Sequence, residues 1–414
     1  MSISMAARHA RNKRLQDAIF GANAACRKAA EKFGGEKVTN ATIGVMMDDN
    51  GKLAYLPTVE KIYKEMPMTS LVSYAPISGI PDYLAAATSL TFADNKPEGY
   101  TGAVATAGGT GAIHHAVENY AEKGEKVLTG DWYWGTYNVI CREVGCKLTN
   151  FKLFDEKQNF NIGDFSAKVD ELLTAQESLL VILNTPAHNP TGFGLSEADW
   201  DNVLDVFKQH AAKGKRINLL VDIAYIDFAG EKNATRRFMK KFGANLPDNI
   251  FVMIAFSMSK SYTFYGQRTG ALIGVSASKD VIDEFNEVCK YSSRATWSNI
   301  NRGAMALLTK IEQDSAIHAA YEKERDALYH TVQERAQIFM NEAKDCGLNA
   351  LPYTGGFFLS VPTAKAAQIC EELHKELIFA VPLKLGIRVA ACSVPAAKMH
   401  GIASKIKQAE ERIG

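Results

Sequence analysis

The amino-acid sequence predicts an α/β fold, with a mainly parallel seven-stranded sheet in a large domain and a smaller α+β domain. Seven short apolar segments rich in β-forming residues lie between residues 100 and 275, and several are apolar at nearly every position. Strands that are covered on both faces have this composition. Helical patterns separate several of these segments, as in βαβ units. After about residue 277 the pattern changes, which indicates a second domain.

The large domain is predicted from the order of its strands and helices. The predicted strands cover residues 103–107, 126–129, 147–152, 179–184, 218–222, 251–256 and 271–275. The predicted helices cover residues 111–123, 136–144, 165–174 and 196–213. Short strands that alternate with longer helices are typical of a parallel sheet, because parallel strands need crossover connections.

The C-terminal part has longer helical patterns and fewer strands. Helices are predicted at residues 279–291, 301–313, 315–346 and 364–376, strands at 355–361 and 387–391, and a terminal helix from residue 395. We predict an N-terminal arm with part of the small domain at residues 1–48, a large domain at 49–315 and a small domain at 316–414. Clefts between domains are usual ligand sites.

The composition excludes several classes of protein. The 414 residues include 47 Lys and Arg and 46 Asp and Glu, so neither nucleic acid nor an anionic membrane is an expected partner. No apolar run approaches the roughly 20 residues that span a bilayer, and the polar, basic residues 1–15 do not resemble a secretory signal. Seven dispersed cysteines without a CxxC pair argue against disulfides and a zinc site. We therefore expect no metal and a cytoplasmic location.

Lys260 is the first candidate for catalysis. It comes soon after the predicted strand 251–256, and the carboxyl ends of strands are where open α/β sheets bind ligands. Ser257 and Ser259 offer hydroxyl groups, and Arg268 offers a guanidinium that can bind a phosphate bidentately. A lysine beside a phosphate site suggests an aldehyde cofactor held as a Schiff base. For a lysine taken alone, a solvated turn is the more frequent interpretation.

Two polar residues near the end of the predicted strand 218–222 fit the same cofactor. Asp222 is placed to hold a pyridine nitrogen protonated, which keeps the ring an electron sink. Tyr225, three residues later, is placed to hydrogen-bond a ring hydroxyl. Taken alone, Asp222 is more often a cap or turn residue, and Tyr225 is more often a core residue.

A glycine-rich turn precedes the helix predicted at residues 111–123. Backbone N–H groups at Gly109 and the hydroxyl of Thr110 would face a phosphate at the helix N-terminus. The turn is not a dinucleotide fingerprint, because His114 replaces the third glycine, and this disfavours a nicotinamide dehydrogenase. Trp134 is a candidate to stack on the cofactor ring, although an isolated tryptophan usually belongs to a core.

The segment NTPAHNPTG at residues 184–192 is the most specific motif, a rigid loop after a strand. Together with SMSK at residues 257–260, it resembles the class I aminotransferases of pyridoxal 5′-phosphate (PLP) fold type I, specifically their aspartate/aromatic branch. Supporting matches run from Ile19 to Arg388, so the resemblance covers nearly the whole chain. It implies the PLP-dependent transferase fold, PLP as the cofactor, and a ping-pong transfer of an amino group.

The resemblance also implies a role for each matching residue. Lys260 would carry PLP as a Schiff base and shuttle the proton during transfer. Asp222 would pair with the pyridine nitrogen, while Asn189 and Tyr225 would donate to the ring hydroxyl. The phosphate ligands and the stacking residue would be Gly109, Thr110, Ser257, Arg268 and Trp134.

Substrate contacts follow from the same resemblance. Arg388 would bind the substrate α-carboxylate, in a pocket completed by Gly44, Asn189 and Trp134. Arg294 would bind a distal carboxylate from across a dimer, and Tyr74 would reach the phosphate of the neighbouring subunit, so we expect a homodimer with shared sites. The expected ligands are aspartate or an aromatic amino acid, with 2-oxoglutarate. A surface arginine at a helix end is the alternative interpretation of Arg294.

Two alternatives stay open at this point, namely an aminotransferase that prefers aromatic amino acids and a β-lyase or decarboxylase on the same fold. A non-catalytic PLP-binding sensor is disfavoured, because no basic helix-turn-helix extension is found. The chain departs from the branch at Tyr137, where a histidine usually supports the aspartate, and at Gly108, where a serine is common. Tyr137 remains in a position to hydrogen-bond Asp222.

Overall fold

The structure, a computed structural model, describes residues 4–11, 13–15 and 18–414. Residues 1–3, 12 and 16–17, which include part of the basic N-terminal segment, lie outside the described residues. The predicted α/β class is confirmed, because a seven-stranded, mainly parallel sheet with helices on both faces is accompanied by a smaller α+β domain.

The strands of the large domain lie close to their predicted positions. In the described part of the chain the strands are β1 (Thr39–Asn40), β2 (Tyr100–Thr106), β3 (Lys126–Gly130), β4 (Lys147–Phe151), β5 (Ser178–Asn184), β6 (Arg216–Asp222), β7 (Ile250–Ser257), β8 (Gly270–Ser276), β9 (Phe358–Pro362), β10 (Ile378–Phe379), β11 (Val381–Pro382) and β12 (Gly386–Ala390). Strands β2 to β8 are the seven predicted strands of the large sheet.

The α-helices include five that were not predicted from the sequence, α1 to α4 and α9. In the described part of the chain the helices are α1 (Ala18–Phe33), α2 (Pro57–Glu65), α3 (Met68–Val72), α4 (Pro81–Phe92), α5 (Gly108–Tyr120), α6 (Thr136–Val144), α7 (Ile162–Ala175), α8 (Glu197–Ala211), α9 (Met258–Ser261), α10 (Lys279–Thr296), α11 (Arg302–Gln313), α12 (Ser315–Asp345), α13 (Ala366–Lys375), α14 (Ala396–Met399) and α15 (Ile402–Ile413).

Local chemistry explains where some of the helices begin and end. Helices α2 and α4 each begin with a proline, which is tolerated in the first turn because that N–H has no helical partner. The predicted terminal helix is interrupted at Gly401, whose φ of 88° is left-handed and separates α14 from α15. Among the described residues, no helix carries an apolar stretch long enough to cross a bilayer.

The large sheet has the strand order β2-β8-β7-β6-β5-β3-β4. All neighbours from β7 to β4 are parallel, while β8 runs antiparallel to both β7 and β2. In register, Asn184 pairs with Asp222, and Asp222 pairs with Ala255. The polar residues that end β5, β6 and β7 therefore lie side by side at the carboxyl ends of these parallel strands, where open α/β sheets bind ligands.

Both faces of the large sheet are buried, as the apolar strands predict. Along β5, Leu179, Val181 and Leu183 pack into the core that contains α7 and α8. The alternate residues Leu180 and Ile182 pack into the core that contains α5 and α6. This alternation follows from the two-residue period of a strand. The helices on both faces therefore fix the position of the strands and of the polar residues at their carboxyl ends.

The small domain is built from both ends of the described chain. Its three-stranded sheet has the order β11-β12-β9, and β1 from the N-terminal part pairs with β10. Helix α12 is 31 residues long and connects the two cores. Tyr321 packs into the core of the large domain, whereas Val332 and Phe339 pack into that of the small domain. Helix α12 therefore packs against both domains.

Candidate active site

A cavity of about 310 Å³ lies where the ends of β5, β6 and β7 face the small domain. Eleven of the thirteen residues that the sequence analysis proposed for the site line this cavity, namely Gly44, Gly109, Thr110, Trp134, Asn189, Asp222, Tyr225, Ser257, Lys260, Arg268 and Arg388. They come from distant parts of the sequence, so the fold rather than local sequence brings them together. Tyr74 and Arg294 do not line it.

Lys260 projects from the short helix α9, which follows β7. The Ser257 hydroxyl caps this helix by accepting a hydrogen bond from the Ser259 backbone N–H at 3.2 Å. Lys260 Nζ donates to the Gly44 carbonyl at 2.7 Å and lies 4.8 Å from the centre of the Tyr265 ring. Burial among these groups lowers the pKa of Lys260 to about 8. The amine is therefore neutral over a larger part of the pH range than an ordinary lysine, which makes it a better nucleophile.

Asp222 is a buried carboxyl group with two hydrogen-bond donors. The Tyr137 hydroxyl donates to Oδ2 at 2.6 Å, and the Ala224 backbone N–H donates to Oδ1 at 3.1 Å. Burial raises the pKa of Asp222, although both hydrogen bonds oppose this change. None of the ion pairs among the described residues includes Asp222. A cationic group in the cavity would therefore stabilise its charged form.

The first turn of α5 and Arg268 present donor groups that are suited to an anion, and we call this group of donors the anion site. Arg268 Nη1 donates to the Ser259 hydroxyl at 3.2 Å, and Nη2 donates to the Thr110 hydroxyl at 3.4 Å. The guanidinium lies so close to Gly108 that a Cβ there would be 2.8 Å from Nη2. Backbone N–H groups at a helix N-terminus, hydroxyl groups and a guanidinium are the donors that bind phosphate.

The loop after β5 is held to the end of β6 by Asn184. Its side chain donates to the Asp222 carbonyl at 2.7 Å and accepts from the Asn189 backbone N–H at 2.7 Å. Asn189 Nδ2 in turn lies 3.5 Å from the Tyr225 hydroxyl. This arrangement places the Asn189 amide and the Tyr225 hydroxyl side by side, where both can donate to one acceptor on a ligand.

Arg388 lies in the wall opposite the large sheet, on β12. Its Nη2 donates to the Thr42 carbonyl at 2.7 Å, and its Nη1 donates to Asn189 Oδ1 at 3.3 Å. The guanidinium stacks over the Phe358 ring at 4.2 Å. Phe358 also explains Gly44, because a Cβ at that position would be 2.7 Å from the ring. A buried guanidinium that lines a cavity is suited to bind a carboxylate.

Tyr74 and Arg294 lie on the surface of the chain instead. Tyr74 is 88% exposed, and its carbonyl accepts from Arg302 at 3.1 Å. Arg294, in the last turn of α10, is exposed and donates to the Ser298 hydroxyl at 2.6 Å. The fold of one chain does not bring these two residues to the cavity that holds the other eleven.

The structure adds residues that the sequence analysis did not assign to the site. They are Ile19, Val45, Ile113, Asn184, Ala224, Tyr265 and Phe358, and the cavity also includes Ser259, whose hydroxyl group was predicted to lie beside a phosphate. Tyr265 is the one with a readable signal, because it lies between Lys260 and Arg268. Its hydroxyl accepts from the Met46 backbone N–H at 2.9 Å. The others are mostly apolar, and nothing in the sequence distinguishes them from core residues.

The cysteines are free, and no three His, Cys, Asp or Glu side chains in the described ranges are grouped as a metal site.

Comparison with known proteins identifies the family of the chain. The model of the family "aminotransferase class I and II" matches residues 36–406. The Escherichia coli aspartate aminotransferase is 25% identical over 316 residues, which cover 75% of this chain and 77% of that protein. The mitochondrial aspartate aminotransferase of Schizosaccharomyces pombe is 28% identical, and the match covers 68% of this chain but only 63% of that protein.

Solved structures give matches over nearly the full length. An aminotransferase from Anaerococcus prevotii is 40% identical with a TM-score of 0.96, and the match covers 98% of this chain and 99% of that one. An aromatic-amino-acid aminotransferase from Burkholderia pseudomallei, covalently bound to PLP, has a TM-score of 0.78 at 23% identity, with 98% and 100% covered. By its sequence and its fold, the chain belongs to the class I and II aminotransferases, a family of enzymes that use PLP.

Proposed function

We propose that the protein transfers an amino group between aspartate, or an aromatic amino acid, and 2-oxoglutarate, with PLP attached to Lys260. The proposal rests on one observation: a buried amine, an anion-binding turn and a buried carboxyl group line the same cavity. These groups correspond to the aldehyde, the phosphate and the ring nitrogen of PLP. The aspartate and aromatic-amino-acid aminotransferases among the relatives support the choice of substrates.

The residues present fit PLP at each of its polar groups. Asp222 is buried without an ion-pair partner among the described residues, and a protonated ring nitrogen would supply one. We assign Lys260 to the aldehyde, Asp222 to the ring nitrogen, Asn189 and Tyr225 to the ring hydroxyl, Trp134 to the ring face, and Gly109, Thr110, Ser257 and Arg268 to the phosphate. When bound, PLP supplies a ring that withdraws electrons from the substrate Cα.

Lys260 is the residue that we expect to move the substrate proton. A pKa of about 8 leaves part of the Nζ groups neutral near neutral pH, and a group that titrates in this range both accepts and returns a proton readily. The Tyr225, Tyr265 and Phe357 rings lie within 6 Å of Nζ and keep water away from it. The same amine then serves as nucleophile towards the cofactor and as base towards the substrate.

Arg388 and Asn189 are expected to bind the α-carboxylate. The two side chains already share a hydrogen bond of 3.3 Å, so a carboxylate can be bound by both without rearrangement of the backbone. Holding the carboxylate at a defined point fixes the direction of the Cα–H bond towards Lys260. Orientation of this kind can lower a reaction barrier by about 7–11 kcal/mol.

We further propose a homodimer in which each chain contributes Tyr74 and Arg294 to the site of its partner. Both side chains are exposed and remain outside the cavity of their own chain. Tyr74 would reach the phosphate, and Arg294 would bind the distal carboxylate of aspartate, glutamate or their oxo acids. We place this dimer in the cytoplasm, in line with the absence of CxxC pairs from the sequence.

A half-reaction with Arg294→Ala tests the choice of substrate. We expect dicarboxylate donors to react about 10- to 100-fold less efficiently, because charge-assisted hydrogen bonds are lost, while aromatic donors largely keep their rate. The rate is measured from the cofactor absorbance after an amino donor is added. No oxo acid is present, so the change in absorbance reports only the reaction of the donor.

Arg142→Ala is the matched control, because Arg142 is also exposed in the last turn of a helix. It should leave both classes of donor unchanged. Equal rates for dicarboxylates in wild type and Arg294→Ala would contradict the role of Arg294. Pyruvate release from a donor without any oxo acid would instead identify the protein as a β-lyase.

A further inference from the structure

The turn that carries Lys260 is tied to the loop that carries Tyr225 by a contact outside the cavity. Ser261 follows Lys260 in the chain and is 3% exposed. Its hydroxyl donates to Asp227 Oδ2 at 2.5 Å, and Asp227 lies two residues after Tyr225. A hydrogen bond from a hydroxyl to a carboxylate is shorter and stronger than a neutral one.

Asp227 is itself fixed by two arginines. Arg236 Nη2 donates to Asp227 Oδ1 at 2.6 Å, and Arg325 Nη1 lies 3.9 Å from the same atom. Burial on its own would raise the pKa of Asp227, but Arg236 and Arg325 outweigh it and lower that pKa to about 2. Asp227 is therefore a carboxylate throughout the physiological pH range, and the Ser261 hydroxyl always has a charged acceptor.

The other side of Ser261 is held by α12. The Tyr321 hydroxyl donates to the Ser261 carbonyl at 3.3 Å, and the Tyr321 ring stacks on Tyr262 with 4.4 Å between the ring centres. Helix α12 therefore supports Ser261 in two ways. Tyr321 contacts it directly, and Arg325, from the same helix, lies beside its acceptor Asp227. Helix α9 has only four residues, so its own hydrogen bonds cannot define the direction of Lys260.

We propose that Asp227 and Ser261 are positioning residues that set the placement of Lys260 Nζ relative to Tyr225 and the anion site. This inference rests on the proposed attachment of PLP to Lys260. The Ser261 hydroxyl touches neither substrate nor cofactor, but its loss lets the turn relax and moves the reacting amine. Displacements of about 1 Å at a reacting group can reduce rates by about 100-fold.

Ser261→Ala is the variant that tests the inference, because it removes one hydroxyl and leaves the Asp227 ion pairs intact. The first readout is independent of turnover: the rate at which apoprotein captures added PLP covalently, followed by visible absorbance. We expect capture and kcat each to fall about tenfold, with little change in KM for the amino donor. Tyr321→Phe, which removes the weaker anchor, should act in the same direction with a smaller effect.

Ser292→Ala is the control for the loss of a buried serine hydroxyl. Ser292 is 9% exposed and donates to Asn119 Oδ1 at 2.9 Å, away from the cavity. Its capture rate should equal that of wild type, while both variants should melt within a few degrees of it. Wild-type capture and turnover in Ser261→Ala would overturn the inference. So would losses that track a fall in melting temperature equally in both variants. A wild-type protein that fails to capture PLP would overturn the proposed function as well.

Discussion

At the scale of single residues, the chemistry of the site depends on how far burial changes ordinary side chains. Lys260 has a lowered pKa because its charge is poorly solvated, and Asp222 has a raised one for the same reason. Tyr137 is a neutral donor to Asp222. It therefore orients the carboxyl group without adding a positive charge, which a protonated histidine at this position would do.

The lowered pKa of Lys260 predicts how apoprotein reacts with aldehydes. Below pH 8 the amine is mostly protonated and unreactive, and above pH 8 it is mostly neutral, so the capture rate should rise with a midpoint near 8. Pyridoxal without its phosphate is the suitable probe, because it brings no charge to the anion site. Absorbance gives the rate at each pH.

Lys260→Ala should show no such capture, which identifies the reacting amine. A midpoint near 10.5, the ordinary value for lysine, would contradict the effect of burial on this residue.

At the scale of elements, the anion site is formed by the turn between β2 and α5. The helix N-terminus provides N–H donors, and Arg268 closes the site from the segment after α9. Gly108 makes this approach possible, because its φ of 69° is left-handed and it has no Cβ to meet the guanidinium. Glycine at position 108, where a serine is common in the branch that the chain resembles, therefore leaves room for the Arg268 guanidinium.

Gly108→Ala is expected to weaken the binding of PLP by at least about tenfold, or about 1.4 kcal/mol. The added methyl group would lie 2.8 Å from Arg268 Nη2, so the guanidinium has to move away from the anion. Equilibrium dialysis of apoprotein against PLP measures the affinity.

Gly124→Ala is the matched control, because Gly124 has a φ of 90° and no atom within 4 Å of the position that an added methyl group would take. Both variants share the cost of a left-handed alanine, about 1–2 kcal/mol, but only Gly108→Ala should lose affinity. Equal affinities in the two variants would show that contact with Arg268 is unimportant.

At the scale of the whole molecule, the cavity lies between two cores that α12 connects. We propose the domain division near residues 48 and 315, as predicted from the sequence, with the arm and α12 as the connections. The cavity of one chain contains eleven of the proposed site residues, and the exposed Tyr74 and Arg294 are the two that remain. The proposed dimer with shared sites would account for both of them.

Mixed dimers test whether sites are shared. Lys260→Ala chains lack the amine in their own site. Tyr74→Phe/Arg294→Ala chains keep the amine but lack the two side-chain groups that we propose enter the site of the partner. A mixed dimer contains one intact site, so equal mixing and reassembly should restore about a quarter of wild-type activity with aspartate. Activity no higher than the mean of the separate variants would contradict the shared site.

Much of the fold, and eleven of the residues that line the cavity, could be predicted from the sequence, because buried segments have a characteristic local composition. Strands covered on both faces are continuously apolar, and each predicted strand of the large sheet is found with ends within three residues. The antiparallel direction of β8 could not be predicted, since direction depends on the connection and not on composition. Helix α4 was missed because it is apolar around much of its surface and shows no clear period.

What the sequence by itself determined is the set of polar residues at the strand ends, from Asn189 to Arg268, and through their order the family. Only the tertiary structure decided which atoms meet. Lys260 Nζ contacts the Gly44 carbonyl across 216 positions of the chain, and Ser261 contacts Asp227 across 34. The physical reason is that burial and periodicity are recorded residue by residue, whereas a hydrogen bond between distant segments depends on how the whole chain packs.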